Sequence, residues 1–514
     1  MKRKKLLISV LVVMAIMPFM AFFVHQALAI DFDLLGNPVR IMGYAQQTVS
    51  YGIPNDNYYD TKRGFQSMLF QGLLEVDYSP LPDLKFFGSS KVNADWAYAI
   101  LRNNDEWKDK GFNGSREGLY FFDDGRDLLN ELHVTWTPGP FYFRIGKQIV
   151  AWGETDGFRL MDQINPVDQR RGMGDVQFEN TILPLWLVRA EYAPPIKSSW
   201  LQSLTFQFIF NPNLEFRGNE AIVPGNDRWG IWAPSVKASL GGPYPFDYAH
   251  VGSFDEHLKK PSSPFDDKGM EFGVRARAVI WDSIITLNYF YGKNNDAVRR
   301  GLPLPPRMEV SDFDGRLIIH PAMEGFYPRF RYVGATFSRD FDWVKASFLG
   351  GVAPVLRLET FYAFKNTFGS DINTYEQKDE FRIAMGVDWK VKIPFLNAKA
   401  YFMISPQIYY RRVFDYPSNF NLSDAGGSPV RENNLTTSLM INTTYFHNKL
   451  QPFFFWMRDI SNRSDMFKLQ ISWEQNNHWK YTLGALFIDG KKEGWGFQPL
   501  EDKDQIFATV LYRF

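Results

Sequence analysis

The chain has 514 residues, 57 basic against 57 acidic side chains, no cysteine, and aromatic residues over 17% of its length. The lack of cysteine excludes structural disulfides, thiolate metal sites and covalent haem attachment through Cys-x-x-Cys-His. Mean hydropathy is −0.28, and beyond the first residues no apolar run approaches the roughly 18 that a membrane helix needs.

The N-terminus carries Lys2, Arg3, Lys4 and Lys5, an apolar run from Leu6 to Phe23, and then Ala27-Leu28-Ala29. This is the order of a secretory signal peptide, with small-x-small as the cleavage site. The alternative, a retained membrane anchor, fits less well because the cleavage pattern follows the run so closely. The reading divides the chain into a signal peptide, 1–29, and one domain, 30–514. Taking the four early bases from the chain's 57 leaves 53 against 57 acids, a net charge near −4 that argues against a nucleic-acid partner.

From Arg40 onward the dominant pattern has a period of two. Segments such as Arg40 to Ser50, Phe65 to Tyr78, Phe141 to Trp152, Met270 to Trp281, Trp343 to Phe364 and Glu380 to Val391 alternate apolar with polar or small residues. About 18 such strands can be counted, and 16 also fits. Short connections such as Pro138 to Pro140, Asp282 to Ser283 and Gln475 to His478 take turns with long ones such as Asn103 to Arg126, Asn211 to Lys268 and Lys293 to Tyr327. Short turns at one end and long loops at the other are the pattern of an all-β transmembrane antiparallel β-barrel, with periplasmic turns and outer loops. The last residues alternate up to the terminal Phe514, which resembles the signal that barrel-assembly machinery reads. An uncovered aromatic strand of this kind would be an aggregation hazard in a soluble sheet.

The strands also sort their charges. In the segment from Met270, the residues Phe272, Val274, Ala276, Ala278 and Ile280 alternate with Glu271, Gly273, Arg275, Arg277 and Val279. In the segment from Glu380, Arg382, Asp388 and Lys390 share one side. A charge facing lipid at the midplane costs about 2–4 kcal/mol, so these charges belong to the lumen, together with Arg144, Arg189, Glu191, Arg357 and Glu359. Lys147 breaks the rule by falling on the lipid side, and a β-bulge at Gly146 that turns it inward is favoured over snorkelling to the rim.

The most distinctive stretch is FYFRIGKQIVAWGETDGFRLMDQINPVDQRR, Phe141 to Arg171. A strand through Trp152 dissolves into Gly153, Glu154, Asp156 and Gly157, and Asn165-Pro166 is a strong turn signal. Arg144-Ile-Gly-Lys-Gln148, Trp152-Gly-Glu and Ile164-Asn-Pro166 together resemble a motif of largely uncharacterised Gram-negative outer-membrane β-barrel proteins. In that family a strand ending in Arg-x-Gly-x-Gln-x-x-x-Trp-Gly-Glu leads into a loop ending in Ile-Asn-Pro. The resemblance covers about thirty residues and implies a location in the cell outer membrane, a barrel fold and a role in transport, with no substrate attached.

The candidate pore-lining or constriction residues are Arg144, Gln148, Trp152, Glu154, Asp162, Asn165, Asp168, Arg189, Glu271, Arg275, Arg277, Arg382 and Asp388. Glu154, Asp162, Asp168, Arg170 and Arg171 crowd the loop after the motif strand. That loop is read either as a constriction that touches solute or as a latch pairing its acids with lumen arginines, and the two are compatible. The aromatic runs Phe453 to Trp456 and Tyr289 to Tyr291 read first as membrane-interface girdles, and second as a greasy slide for a hydrophobic solute.

Asp123 to Asp127 and Asp312 to Gly315 each resemble part of a calcium loop but lack its closing acid. There is no His-Glu-x-x-His, Gly-x-Ser-x-Gly or phosphate-binding glycine loop. The expected function is therefore a non-enzymatic outer-membrane channel or transporter for a small hydrophobic or amphipathic solute. No cofactor is expected. Its expected partners are outer-membrane lipid, the solute and a periplasmic or inner-membrane transport component. A structural sheath for an electron-transfer protein and an outer-membrane hydrolase are the two alternatives from other classes.

Overall fold

The computed structural model of the protein describes residues 30–53, 64–97, 128–154, 160–169, 178–220, 249–251, 255–262, 264–310, 315, 317–344 and 351–514. The N-terminal segment read as a signal peptide, the two calcium-like runs apart from Gly315, and Arg170 and Arg171 lie outside the described residues.

The wall is made of β1 (Asn37–Gly52), β2 (Gly64–Leu81), β3 (Leu84–Asp95), β4 (Leu129–Trp136), β5 (Phe141–Gln148), β6 (Leu185–Tyr192), β7 (Leu201–Asn211), β8 (Glu271–Ile280) and β9 (Ser283–Lys293). It continues through β10 (Arg329–Asp340), β11 (Val355–Ser370), β12 (Tyr375–Val391), β13 (Phe402–Val413), β14 (Asn433–Asn442), β15 (Leu450–Asp459), β16 (Ser464–Glu474), β17 (Trp479–Gly490) and β18 (Gln505–Arg513). Each pairs antiparallel with the next, and β18 returns to β1 from Tyr44↔Arg513 to Gly52↔Gln505. The result is a closed antiparallel barrel of 18 strands. Closure leaves no edge strand, so the backbone groups of every wall strand have partners on both sides.

The period-two pattern decides which way each side chain points. Outward positions hold exposed apolar residues such as Leu74, Phe86, Leu132, Ile145, Leu287 and Leu483. Inward positions hold polar residues bonded across strands: Thr48 with Thr509 at 3.0 Å, Thr286 with Thr336 at 2.8 Å, and Gln71 to Asn93 at 3.0 Å. Glu271, Arg275 and Arg277 face inward with Gly273, while Phe272 and Val274 are exposed on the other side.

Three expectations are corrected. β5 ends at Gln148 rather than Trp152, because Asn165 takes the Val150 N–H at 2.8 Å and Asp162 takes the Trp152 N–H at 2.5 Å, leaving neither for a ladder. The strand expected from Trp343 begins at Val355 instead. Trp343 stands 84% exposed in a short turn, and Pro354, which has no N–H, offers only its carbonyl, to Phe341 at 3.0 Å.

The third concerns Lys147. There is no bulge, since β5 keeps unbroken register with β4 (Leu132↔Lys147) and with β6 (Lys147↔Trp186). Lys147 keeps its outward parity near the long-loop end. Its ammonium donates to the Leu129 carbonyl at 2.7 Å and lies 4.0 Å from Glu215, which follows β7. A charge satisfied in this way has no need to turn inward.

Gly146 serves a different purpose. Its φ is +135°, and a Cβ there would lie 2.1 Å from the Leu132 carbonyl oxygen, so two strand backbones meet where no side chain fits. Gly146→Val is expected to reduce stability by about 1–3 kcal/mol from backbone strain alone, with the clash adding to it. The measurement is the fraction of refolded protein with the faster, heat-modifiable gel mobility. Wild-type behaviour of the variant would refute the close approach.

Candidate functional site

The chain leaves the wall after Gln148 and turns into the bore. Trp152 is fully buried there, its indole N–H donating to Gln207 Oε1 of β7 at 2.6 Å. The far edge of its ring lies against Gly273 of β8, where a Cβ would come within 2.6 Å. Met161 packs on Gly334 of β10, and the Tyr332 hydroxyl donates to the Met161 carbonyl at 3.0 Å. The loop therefore runs along the inner wall from β5 to β11. Val150, Trp152, Leu160, Met161 and Ile164 form an apolar core with inward residues that include Ile209, Phe290 and Phe361. Burying each of Leu160, Met161 and Ile164 is worth about 1.5–3 kcal/mol, which holds an apolar segment inside a barrel whose inward side chains are otherwise largely polar.

The polar residues of the same stretch fix its shape. Asp162 accepts from Trp152 N–H at 2.5 Å and Gly153 N–H at 2.8 Å. Asn165 closes the base of the loop, accepting from Val150 N–H at 2.8 Å and donating to the Leu183 and Gln148 carbonyls at 2.9 and 3.2 Å. Gln148 is buried in the wall and donates to the Leu187 carbonyl at 3.0 Å. Asp168 sits farther along, its N–H bonded to the Thr181 carbonyl at 2.7 Å and its backbone bridged to Glu220. Among the described residues, then, Gln148, Trp152, Asp162 and Asn165 act on the loop itself.

Glu154 is where the loop meets the charged wall. Its carboxylate is 3.5 Å from Arg275, its backbone N–H donates to Glu359, and Arg357 donates to its carbonyl. Arg357 also pairs with Asp388 at 2.8 Å, and Asp388 accepts from Ser405 at 2.6 Å. Arg382 lies beside Glu380 and over the Phe361 ring. On the other flank, Arg144 donates to Thr135 at 2.9 Å, while Arg189 and Gln207 share Glu191. Glu271 is held apart from the loop by Lys293 at 3.4 Å and Asn211 at 2.7 Å. Arg277 stays exposed on the inward face.

Sequence reasoning missed the partners on the adjacent strand and in the connection after β13. Arg411 bonds Glu380 at 2.6 Å and both carboxylate oxygens of Asp424 at 2.6 and 2.7 Å. Arg411 shares inward parity with Ser405 and Gln407, a signal that could have found it. Asp424 lies in a connection with no periodicity to read. Burial pushes the Asp424 carboxyl up, but the Arg411 guanidinium outweighs it and holds the group below the usual range.

The wall on β14–β18 is different in kind. The run Phe453 to Trp456 divides by parity: Phe454 and Trp456 face out, while Phe453 pairs with Gln470 and Phe455 with Lys468 on the inner side. Met440 neighbours Phe455, and the Lys468 ammonium lies 5.4 Å from the centre of the inward Phe507 ring. The run Tyr289 to Tyr291 divides too, with Phe290 buried in the inner core.

At the long-loop end, three connections meet at Asp296. It accepts from Asn219 at 2.8 Å, and next to it the Gly426 N–H donates to the Ala297 carbonyl at 3.0 Å. Burial raises its carboxyl to about 6, against the Asn219 hydrogen bond and the Arg299 charge, with Asp424 adding to the rise. Among the described residues no group of three His, Asp or Glu side chains is placed to hold a metal ion.

A family model described as "Protein of unknown function (DUF1302)" matches residues 7–514. Comparison with curated proteins gives no match. Among solved structures, the chain is similar to OpdK of Pseudomonas aeruginosa, solved with vanillate, at 7% identity and TM-score 0.46, over 93% of this chain and 98% of that one. It is similar also to OccAB4 of Acinetobacter baumannii, at 10% identity and TM-score 0.46, over 93% and 98%. The outer membrane channel DcaP of Acinetobacter baumannii gives 10% identity and TM-score 0.37, over 95% and 100%.

The Asp296 junction has a pH dependence of defined sign. Because the folded state raises this carboxyl to about 6, the neutral form fits the fold, and its contribution to stability is present at acid pH and lost as pH rises through that value. Limited proteolysis of these connections is expected to quicken between about pH 4 and 6 in the wild type and to stay flat in Asp296→Asn. Equal pH dependence in both proteins would remove Asp296 from the account.

Proposed function

From the premise that the chain belongs to the DUF1302 family, whose function is unknown, we propose that it is a passive outer-membrane channel for a small amphipathic solute. It would be narrowed by the loop after Trp152 and would work without a catalytic step. The observation that carries this reading is the contrast between the two sides of the bore. From β5 to β13 the inner wall is rich in arginine, with Arg144, Arg189, Arg275, Arg277, Arg357, Arg382 and Arg411. From β14 to β18 it offers Met440, Phe453, Phe455 and Phe507. A solute with an apolar body and an anionic end has a partner on each side, and water alone has no use for the apolar one.

Most of these arginines are committed to carboxylates or carbonyls, which fixes their positions rather than leaving them as mobile hooks. Two are exceptions among the described residues: Arg144, which donates to the Thr135 hydroxyl at 2.9 Å, and Arg277, which is exposed on the inner face without an ion pair. Charges lining a pore set ion preference. The loop supplies the narrowing: its apolar core fixes it to the wall, and Glu154 ties its tip to Arg275 at 3.5 Å. Long loops at one end and short turns at the other support an orientation with the loops outside and the turns in the periplasm.

Arg277→Glu is expected to shift the reversal potential in planar bilayers towards cations under a salt gradient, with single-channel conductance still present. Arg275→Glu should do so too and also free the loop, raising the conductance. Unchanged selectivity in Arg277→Glu would mean that the residue does not line the path.

A further inference from the structure

On the outside of the wall, near the long-loop end, three cations stand exposed on neighbouring strands: Arg331 of β10, Lys365 of β11 and Arg412 of β13. Among the described residues none of the three makes an ion pair. At another place on the outer face Arg458 is paired with Asp465 at 3.2 Å. Aromatic rings connect Arg331 with Arg412. Arg331 lies over Phe364, Phe364 packs on Tyr362, Tyr362 on Phe414, and Arg412 lies over Phe414, at centre distances of 5.8, 5.0, 5.9 and 5.4 Å.

Asp379 sits among them, but its carboxylate is taken by the Lys365 N–H at 2.7 Å and the Tyr362 hydroxyl at 2.8 Å. Asp415 is the other acid nearby in sequence, so cations exceed acids three to two. Below the patch, towards the middle of the wall, β10, β12 and β13 expose Val333, Met385 and Ile408.

We infer that this patch seats a lipid of the outer leaflet whose headgroup carries two phosphates, as a diphosphorylated glycolipid does. The inference rests on the outer-membrane orientation proposed above. Its grounds are charge and position. The cations look sideways along the wall, directly above apolar side chains that acyl chains would cover, so the ligand has a phosphate head and a hydrocarbon tail. β10 to β13 span three strand spacings, roughly 14 Å, wider than one phosphodiester. Ring stacking holds Arg331 and Arg412 in place, which lowers the entropy lost on binding.

The test is titration of refolded protein in nonionic detergent with diphosphoryl lipid A, followed by native mass spectrometry. Wild type and a triple variant carrying Arg331→Gln, Lys365→Gln and Arg412→Gln are compared, with Arg412→Gln alone as the milder form. Wild type is expected to bind at least about tenfold more tightly than the triple variant and severalfold more tightly than the single one. It should also prefer lipid A to its dephosphorylated form and keep it in millimolar inorganic phosphate.

Equal binding by wild type and both variants would overturn the inference, as would equal affinity for dephosphorylated lipid or displacement by inorganic phosphate. Heat-modifiable mobility confirms that each variant is folded. Conductance in planar bilayers is read separately, so a protein that conducts but shows no phosphate preference refutes the lipid seat and leaves the channel standing.

Discussion

The structure depends on one constraint: backbone donors and acceptors in the wall must be satisfied within the wall itself. In the membrane setting proposed for it, hydrocarbon would offer them no partner, and each one left open would cost several kcal/mol. Pairing β1 with β18 removes the last open edge, with Phe514 and Gly43 exchanging backbone bonds at 3.0 Å each way. Once the ladder is closed, every second residue must look out and every other one in. An apolar exterior and a polar interior follow from that geometry rather than from any local preference.

Closure also creates a problem that the loop after Trp152 addresses. A barrel of this strand number encloses more space than its own inward side chains fill. The chain fills part of that space by folding a segment back into it and giving the segment an apolar core of its own, Trp152 to Ile164 against Phe290, Tyr332 and Phe361. Asp162 and Asn165 fix the turn from within, and Glu154 docks it on the arginine side. The contacts that hold the loop also place it inside the barrel, so the proposed constriction and the latch would be one object. The two sides are unlike, one lined by arginines and their carboxylate partners and one carrying Met440, Phe453, Phe455 and Phe507, which is the basis for the amphipathic solute proposed here.

The wall was legible in the sequence because its determinant is local. Alternation in Phe272 to Ile280 or Phe381 to Val391 can be read without knowing any neighbour, and so can the long and short connections. The interior was legible only in part. Asn165-Pro166 announced a turn and Glu154 a charge in need of a partner. Nothing near Trp152 announces Gln207, and nothing near Met161 announces Tyr332, since those contacts join residues far apart in sequence. The errors have the same cause. Lys147 looked misplaced because Glu215, its cover, lies beyond two further strands, and Trp343 looked like strand because an aromatic at a turn has the composition of an aromatic in a wall.

The central claim is that the segment following Trp152 is wedged inside the barrel and sets its bore. Single-channel conductance of a Trp152→Ala, Asp162→Ala double variant, folded by gel mobility, tests this most directly. With the anchoring ring and the turn-fixing carboxylate both gone, the account predicts a larger and noisier conductance than that of the wild type. Conductance and noise indistinguishable from the wild type in a correctly folded variant would contradict it.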